Sequence, residues 1–172
     1  MIRKATTNDI DAIEALYNKH FDHEEAVKSW SNWERGVYPT RATAEKTVAL
    51  GTMYVLEEHN TLCAVMILND LQGDFYREID WLYPAKDHEV RVIHTLCVAP
   101  SQYGKGHAGK MLAFAKEQAK AEGCKVIRMD TFSGNEPAKA LYQKHGFRIA
   151  GHIETLLEGV IAEELAMLEI EL

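Results

Sequence analysis

The stretch that most constrains this chain runs from Val90 to Glu122. A β-branched apolar run, Val90 to Val98, meets Pro100 and then the loop Tyr103-Gly104-Lys105-Gly106-His107-Ala108-Gly109. Ala108, Met111, Leu112, Ala115 and Ala119 follow at helical spacing, so His107 or Ala108 to Glu122 reads as a helix with one buried face. Gly123 stops it, and Lys125 to Phe132 reads as a further strand. Strand, glycine loop and helix start together form the arrangement that binds a phosphate. Glycines let backbone N–H groups converge on one anion, and the unpaired amides of the first helical turn add partial positive charge. A Gly-x-Gly loop also serves as a tight turn, so this reading needs support from other motifs.

The remaining elements follow from the same periodicities. Met1 to Ala5 is short and strand-like, and Thr7 or Asn8 is the expected cap of a helix with Ile10, Ile13, Leu16 and Tyr17 on its apolar face. His20 to Ser31 is helix-compatible but weakly patterned, and the aromatic segment Trp30 to Thr40 reads as a packed loop. Thr40 or Thr43 starts a helix that Gly51 ends. Met53 to Glu57 and Leu62 to Asn69 form a hairpin turned at Glu58-His59-Asn60-Thr61. Between Asp70 and Asp87 aromatic and acidic residues interleave, and a strand over Tyr76 to Leu82 with a loop at Tyr83-Pro84 is expected. Asn135 caps a short helix with Pro137 in its first turn, and Gly146 ends it. Phe147 to His152 and Leu165 to Glu171 close the chain as strands, the latter alternating apolar and acidic as an edge strand does. The fold class expected is α/β, with a mixed, mostly antiparallel central sheet flanked by helices in a single domain, 1–172.

Composition removes several functions. At 172 residues the chain can bury a core without staples. A net charge of -7, with no Lys/Arg run longer than two, argues against nucleic acid and is compatible with a cationic amine. Cys63, Cys97 and Cys124 are odd in number and lie in apolar runs, which reads as reduced core thiols and neither a disulfide framework nor a metal site. No signal-like leader or membrane-length apolar run is present, so a soluble, cytoplasmic protein is expected. No Gly-x-Ser-x-Gly, His-Glu-x-x-His or Lys-Ser/Thr after the glycine loop occurs. Gly104, Gly106 and Gly109 share the dinucleotide spacing, but two-thirds of the way along the chain and not beside the first strand.

Two motifs together carry a resemblance. Val98-Ala99-Pro100 followed by Tyr103-Gly104-Lys105-Gly106-His107-Ala108 resembles the acyl-CoA signature of the GNAT superfamily of N-acetyltransferases, Gln/Arg-x-x-Gly-x-Gly/Ala. Asn135-Glu136-Pro137-Ala138-Lys139-Ala140-Leu141-Tyr142-Gln143-Lys144-His145-Gly146-Phe147 is similar to that superfamily's Asn-x-x-Ala-x-x-Leu-Tyr-x-x-x-Gly-Phe helix. The pair covers about 90–152, and the elements of 1–16 and 40–69 fit the family's N-terminal order. Tyr103 departs from the pattern, standing where Gln or Arg is usual, and Gln102 is displaced by one residue.

The resemblance implies an acceptor-side half at about 1–89, a CoA-binding half at about 90–152 and a closing strand at 165–171. It implies acetyl-CoA as co-substrate and no metal. The backbone N–H groups of Tyr103, Gly104, Lys105, Gly106, His107, Ala108 and Gly109 are then expected to hold the pyrophosphate. The backbones of Leu96 and Val98 lie along the pantetheine arm, and Asn135 either contacts that arm or is simply an N-cap. Tyr142 is the expected acid toward the leaving thiolate, and an N–H near Leu96 meets the oxyanion.

His94 is the candidate general base: alternation puts Val92, His94 and Leu96 on one face, and some arylalkylamine acetyltransferases carry a histidine placed similarly in this strand. A buried neutral histidine bonded to backbone is the alternative for His94. Glu78 and Asp80 on the preceding strand are rivals, and Cys97, alternating away from His94, reads as core. Trp33, Tyr38, Tyr76, Glu78 and Trp81 are the substrate-contact candidates, although aromatic residues in such positions also pack helices onto sheets. The activity expected is transfer of acetyl to a primary amine of a small molecule or peptide by direct attack in a ternary complex. The alternative is an acyl-CoA-binding module without turnover. A homodimer is admitted; nucleic acid and membrane are not expected as partners.

Overall fold

The computed structural model describes residues 1–172. Its elements are β1 (Ile2–Lys4), α1 (Ile10–Ala26), α2 (Arg41–Ala49), β2 (Met53–Glu58), β3 (Thr61–Asn69), β4 (Val90–Val98), α3 (His107–Ala121), β5 (Val126–Phe132), α4 (Glu136–Lys144), β6 (Arg148–Leu157) and β7 (Ile161–Glu171). Two compact units interleave along the chain, and β4 contributes its first half to one and its second half to the other.

The first unit comprises Met1–Ser29, Trp33–Leu68 and His94–Phe114. Its strands run β1-β2-β3-β4, with β1, β2 and β3 antiparallel. His59 and Asn60 both take positive φ (51 and 58°), which the tight β2–β3 turn requires. Ile13, Leu16, Tyr17 and Phe21 of α1 and Ala44 and Val48 of α2 pack with Met53, Val55, Val65 and Ile67 of the sheet. The 3.6 and 2.0 periods of these segments meet in one core.

The sequence suggests a cap at Thr7 or Asn8, whereas a 3-10 turn entered one residue earlier leads into α1, which itself begins at Ile10. Thr6, not Thr7 or Asn8, stands at the entry, and its backbone N–H and hydroxyl both donate to Asp9 Oδ2 (2.7 and 3.0 Å). A 3-10 turn over Thr7–Asp9 precedes the α-helix. Arg3 donates two 2.8 Å bonds to the Asp9 carboxylate, and these hold Asp9 well below the usual carboxylate range against the opposing effect of burial. A carboxylate so depressed stabilises the fold fully above its unfolded value of about 3.9, and that contribution is lost as pH falls. Arg3 is partly exposed, so the gain is modest. Asp9→Asn is expected to lower Tm at pH 7 by about 2–4 °C, the shift that about 1 kcal/mol produces in a chain of this size. Thermal melts should show that deficit shrinking below about pH 4.

The second unit comprises Trp30–Asn32, Asn69–Ile93 and Ala115–Leu172. Its strands run β4-β5-β7-β6. β4 and β5 are parallel, pairing Val90 with Val126 through Ile93 with Met129, as the crossover through α3 requires. β7 lies between β5 and β6, so it is not the edge strand that its alternation suggests; β6 is the edge. Leu165 to Glu169 are buried without a break, as befits an interior strand. The acidic residue that imitates a solvent face, Glu169, is fully buried and accepts from Arg148 at 2.5 Å.

Glu169 also explains a second departure. No strand forms over Tyr76 to Leu82; a 3-10 turn spans Asp74–Glu78 and irregular chain follows. The N–H groups of Leu82 and Tyr83 donate to the Glu169 carboxylate (2.8 and 3.4 Å), and the indole of Trp81 donates to the Tyr76 carbonyl (2.7 Å). A buried side chain thus takes backbone donors that a strand would spend on a ladder. Tyr76, Val90, Val92, Leu165 and Met167 form this unit's core. Cys63, Cys97 and Cys124 are buried free thiols, and no helix is long and apolar enough to cross a membrane.

Candidate functional site

The glycine loop and the second half of the strand that feeds it, from His94 to Val98, lie in the first unit. The β4–β5 ladder ends at Ile93, although β4 continues to Val98. Two residues beyond that last pair, Thr95 takes φ +50°, a left-handed conformation rare for a β-branched residue. His94, Leu96 and Val98 are partly exposed, whereas Thr95, Cys97 and Ala99 are buried. Val92, on the near side of the kink, is buried. Burial alternates from His94 to Ala99, so His94 and Leu96 keep the shared exposure expected of them, whereas Val92 and Ile93 are both buried and Val92 does not share it.

After β4, Ala99 N–H donates to the Cys63 carbonyl (2.9 Å), and a 3-10 turn spans Pro100–Gln102. Gly104 and Gly106 take φ +76 and +77°. A Cβ at either would meet nothing within 4 Å, so the sign of φ, not lack of space, calls for glycine. The first helical bond of α3 runs from Lys110 N–H to the Gly106 carbonyl (3.0 Å), so the helix does not consume the N–H groups of His107, Ala108 and Gly109. An anion at this entry meets those donors and the positive end of a 15-residue helix.

Side chains brace the loop from within the same unit. His107 is 2% exposed, with Nδ1 3.8 Å from Glu58 Oε1 and Nε2 3.4 Å from Gln102 Oε1. Its ring therefore belongs to the loop's support. Gln102 Oε1 also accepts from Lys105 Nζ (3.0 Å). Lys110 pairs with Glu58 at 2.6 Å and holds that carboxyl below its ordinary range. Tyr103 is exposed, its ring edge-on to His23 at 5.4 Å.

Tyr38 and Trp33 are also in this unit. The Tyr38 hydroxyl is hydrogen-bonded to that of Thr95, and its ring stands edge-on to Trp33 at 5.9 Å. Trp33 in turn packs on His20 at 5.2 Å. Cys97 belongs to the core cluster, and burial pushes its thiol well above the ordinary value, away from nucleophilic use.

The other expected residues lie in the second unit. Asn135 Oδ1 accepts from Ala138 N–H (3.2 Å), capping α4. Tyr142 is 7% exposed, with its ring 6.3 Å from that of Phe147. Tyr76 is buried and donates to Asp130 Oδ2 (2.6 Å); its ring lies 5.7 Å from that of Trp81. Glu78 and Asp80 are exposed, on a turn and irregular chain, not on the strand expected for them. Sequence reasoning passed over Thr95, Arg128 and Glu163. Burial raises the Glu163 carboxyl, while the Asn32 amide, donating at 3.2 Å, opposes the shift. No group of three or more His, Cys, Asp or Glu residues is placed to hold a metal ion.

Residues 10–147 match the family model described as acetyltransferase (GNAT) family. Over 150 residues the chain is 26% identical to the uncharacterized N-acetyltransferase YhfO of Bacillus subtilis (strain 168), covering 85% of this chain and 88% of that protein. A GNAT-family acetyltransferase from Listeria monocytogenes 4b F2365 superposes with a TM-score of 0.74 at 20% identity, covering 100% of this chain and 94% of that one. The structure of yncA from Salmonella typhimurium, solved with its cofactor acetyl-CoA, gives a TM-score of 0.69 at 21% identity, covering 99% and 92%. At these identities the two structures establish a shared fold.

Proposed function

The chain belongs to the GNAT acetyltransferase family, and from that premise we propose that it moves an acetyl group from acetyl-CoA to a primary amine of a small molecule or peptide. The transfer is direct, with both substrates bound. The observation that carries this reading is the pair of left-handed glycines at the entry of α3, which leaves the first-turn N–H groups unspent. Those donors fit a pyrophosphate without needing the Gln or Arg that Tyr103 replaces. Acetyl-CoA supplies an activated thioester; the chain's residues bind it, orient the amine and manage the protons. The backbones of Leu96 and Val98 extend beside the pantetheine arm, and the N–H near Leu96 meets the carbonyl oxygen.

A lysine-like amine with a reference pKa of about 10.4 is neutral at pH 7 only to roughly one part in 2500, equivalent to ~4.6 kcal/mol. His94 takes up that proton, directly or through water, since imidazole titrates near 6.5 in water. Tyr142 meets the leaving sulfur. A phenol near 10 gives its proton to a thiolate near 8.5 only uphill, by about 2 kcal/mol, so a charge-assisted hydrogen bond carries much of its effect. Buried free thiols fit a reducing, cytoplasmic setting.

A thiol-release assay with acetyl-CoA and a panel of amines tests the reading; binding without release across the panel identifies an acyl-CoA-binding module instead. Tyr142→Phe is expected to lower kcat by about 10–100-fold with the KM for acetyl-CoA little changed; an unchanged kcat removes the acid role. His94→Gln should abolish the acidic limb of the kcat/KM pH profile, and a surviving limb assigns the base elsewhere.

A further inference from the structure

Within the second unit a cavity of about 400 Å³ is lined by Arg128 together with Tyr76, Trp81, Pro84, Asp80 and Asp87. Arg128 is 6% exposed, yet its hydrogen bonds go to neutral acceptors. Nη1 donates to Gln72 Oε1 at 2.7 Å, Nη2 donates to the Tyr83 carbonyl at 3.3 Å, and Nε has no partner. The carboxylates around it are engaged elsewhere. Glu169 accepts from Arg148 and from the N–H groups of Leu82 and Tyr83. Asp87 pairs with Arg77 at 3.7 Å and accepts from the Gln72 amide at 3.3 Å. A guanidinium taken out of water without a bonded anion is costly to the fold, and burial pulls its pKa below the ordinary value. Residues held at such a cost, lining an open cavity, are placed to receive a ligand's charge.

The surroundings select the ligand. The guanidinium carbon of Arg128 lies 4.4 Å from the Trp81 ring centroid, a cation–π contact that holds the group at the cavity, and the remaining N–H donors of a guanidinium suit a carboxylate. Asp80, Asp87 and Arg77 line the same cavity; Arg77 is paired with Asp87, so a dianion such as phosphate beside Arg128 meets the like charge of Asp80. Asp80, exposed and on irregular chain, is the acid left to meet an ammonium. Tyr76, Trp81, Pro84 and Ala85 supply apolar wall.

We propose that this cavity binds an amino-acid-type zwitterion with an apolar side chain, its carboxylate on Arg128 and its ammonium on Asp80. The inference stands independently of acetyl transfer, since binding is measured without acetyl-CoA.

Calorimetric titration of the full chain with L-phenylalanine, 3-phenylpropanoate, 2-phenylethylamine and inorganic phosphate tests it. L-Phenylalanine is expected to bind at least ten-fold more tightly than phosphate or the amine. Arg128→Met should weaken L-phenylalanine at least ten-fold while leaving Tm unchanged or raised, because an apolar chain of similar length replaces an unpaired buried charge. Asp80→Asn, at an exposed position, should weaken L-phenylalanine several-fold and leave 3-phenylpropanoate unaffected. The proposal is overturned if no probe binds at millimolar concentration, if phosphate binds as well as L-phenylalanine, or if either variant leaves L-phenylalanine binding intact. A fall in Tm for Arg128→Met with no ligand effect assigns Arg128 to packing on Trp81 and equally overturns it.

Discussion

Replacing Gly104 and Gly106 together by alanine is expected to weaken acetyl-CoA binding by roughly 30–700-fold while leaving Tm nearly unchanged. Both residues take φ near +76°, and an L side chain in that region costs about 1–2 kcal/mol per residue. The added methyl groups meet nothing within 4 Å, and the loop is exposed, so no packing holds the alanines in the strained form. The free loop relaxes to negative φ, and the strain returns only when a ligand demands the original geometry. Binding therefore bears about 2–4 kcal/mol, at 1.4 kcal/mol per tenfold. Gly36→Ala is the control: its φ is +81°, also with open space around the Cβ position, but it lies outside the loop, and the Kd for acetyl-CoA should not move. Isothermal titration decides the matter. A double variant within threefold of the parent removes the loop from the phosphate site.

The loop was legible in the sequence because its requirement is local: glycine is the residue that accepts positive φ without penalty, so the pattern and the geometry are nearly the same statement. The Asn135 cap, the Gly123 and Gly146 stops and the His59-Asn60 turn were legible for the same reason. What escaped depends on distant partners. Glu169, far along the chain, takes the N–H groups of Leu82 and Tyr83 and prevents a strand there, and no window around Trp81 contains that information. The same residue made β7 look like an edge, because a carboxylate neutralised by Arg148 reads in sequence like one in water. Thr95 escaped most completely. Threonine in a β-branched run is the composition of an unbroken strand, and its left-handed φ appears only with the fold around it. The expected alternation holds from His94 through Leu96, and only Val92, buried beside a buried Ile93, departs from it. Acceptor-side aromatics were ambiguous for a related reason: whether Tyr38 or Tyr76 touches substrate depends on where its hydroxyl bonds, and each bonds within its own unit, to Thr95 and Asp130.

Tyr38→Phe is expected to lower kcat/KM by about 30-fold in the parent, and by threefold or less when Thr95 is replaced by glycine. Thr95 sits at φ +50° and is 7% exposed, a conformation costing about 1–3 kcal/mol that persists only where neighbours enforce it. The Tyr38 hydroxyl bonded to the Thr95 hydroxyl is such a restraint, and the Trp33 edge contact holds the tyrosine ring in turn. Removing the hydroxyl forfeits a buried bond and leaves its partner unsatisfied, about 2 kcal/mol, close to the strain it opposes. The strand then straightens at residue 95, and the phase of Leu96 and Val98 slips relative to His94. At 1.36 kcal/mol per tenfold that loss corresponds to about 30-fold. Glycine at 95 takes the left-handed conformation without help, so Tyr38→Phe has little left to disturb. Tm should show the same non-additivity in a double-mutant cycle. If Tyr38 instead acted by touching the acceptor, its loss would cost the same in both backgrounds, and the coupling in kcat/KM would vanish. The kink at Thr95 therefore offers a direct way to separate a tyrosine that shapes the strand from one that reads the substrate.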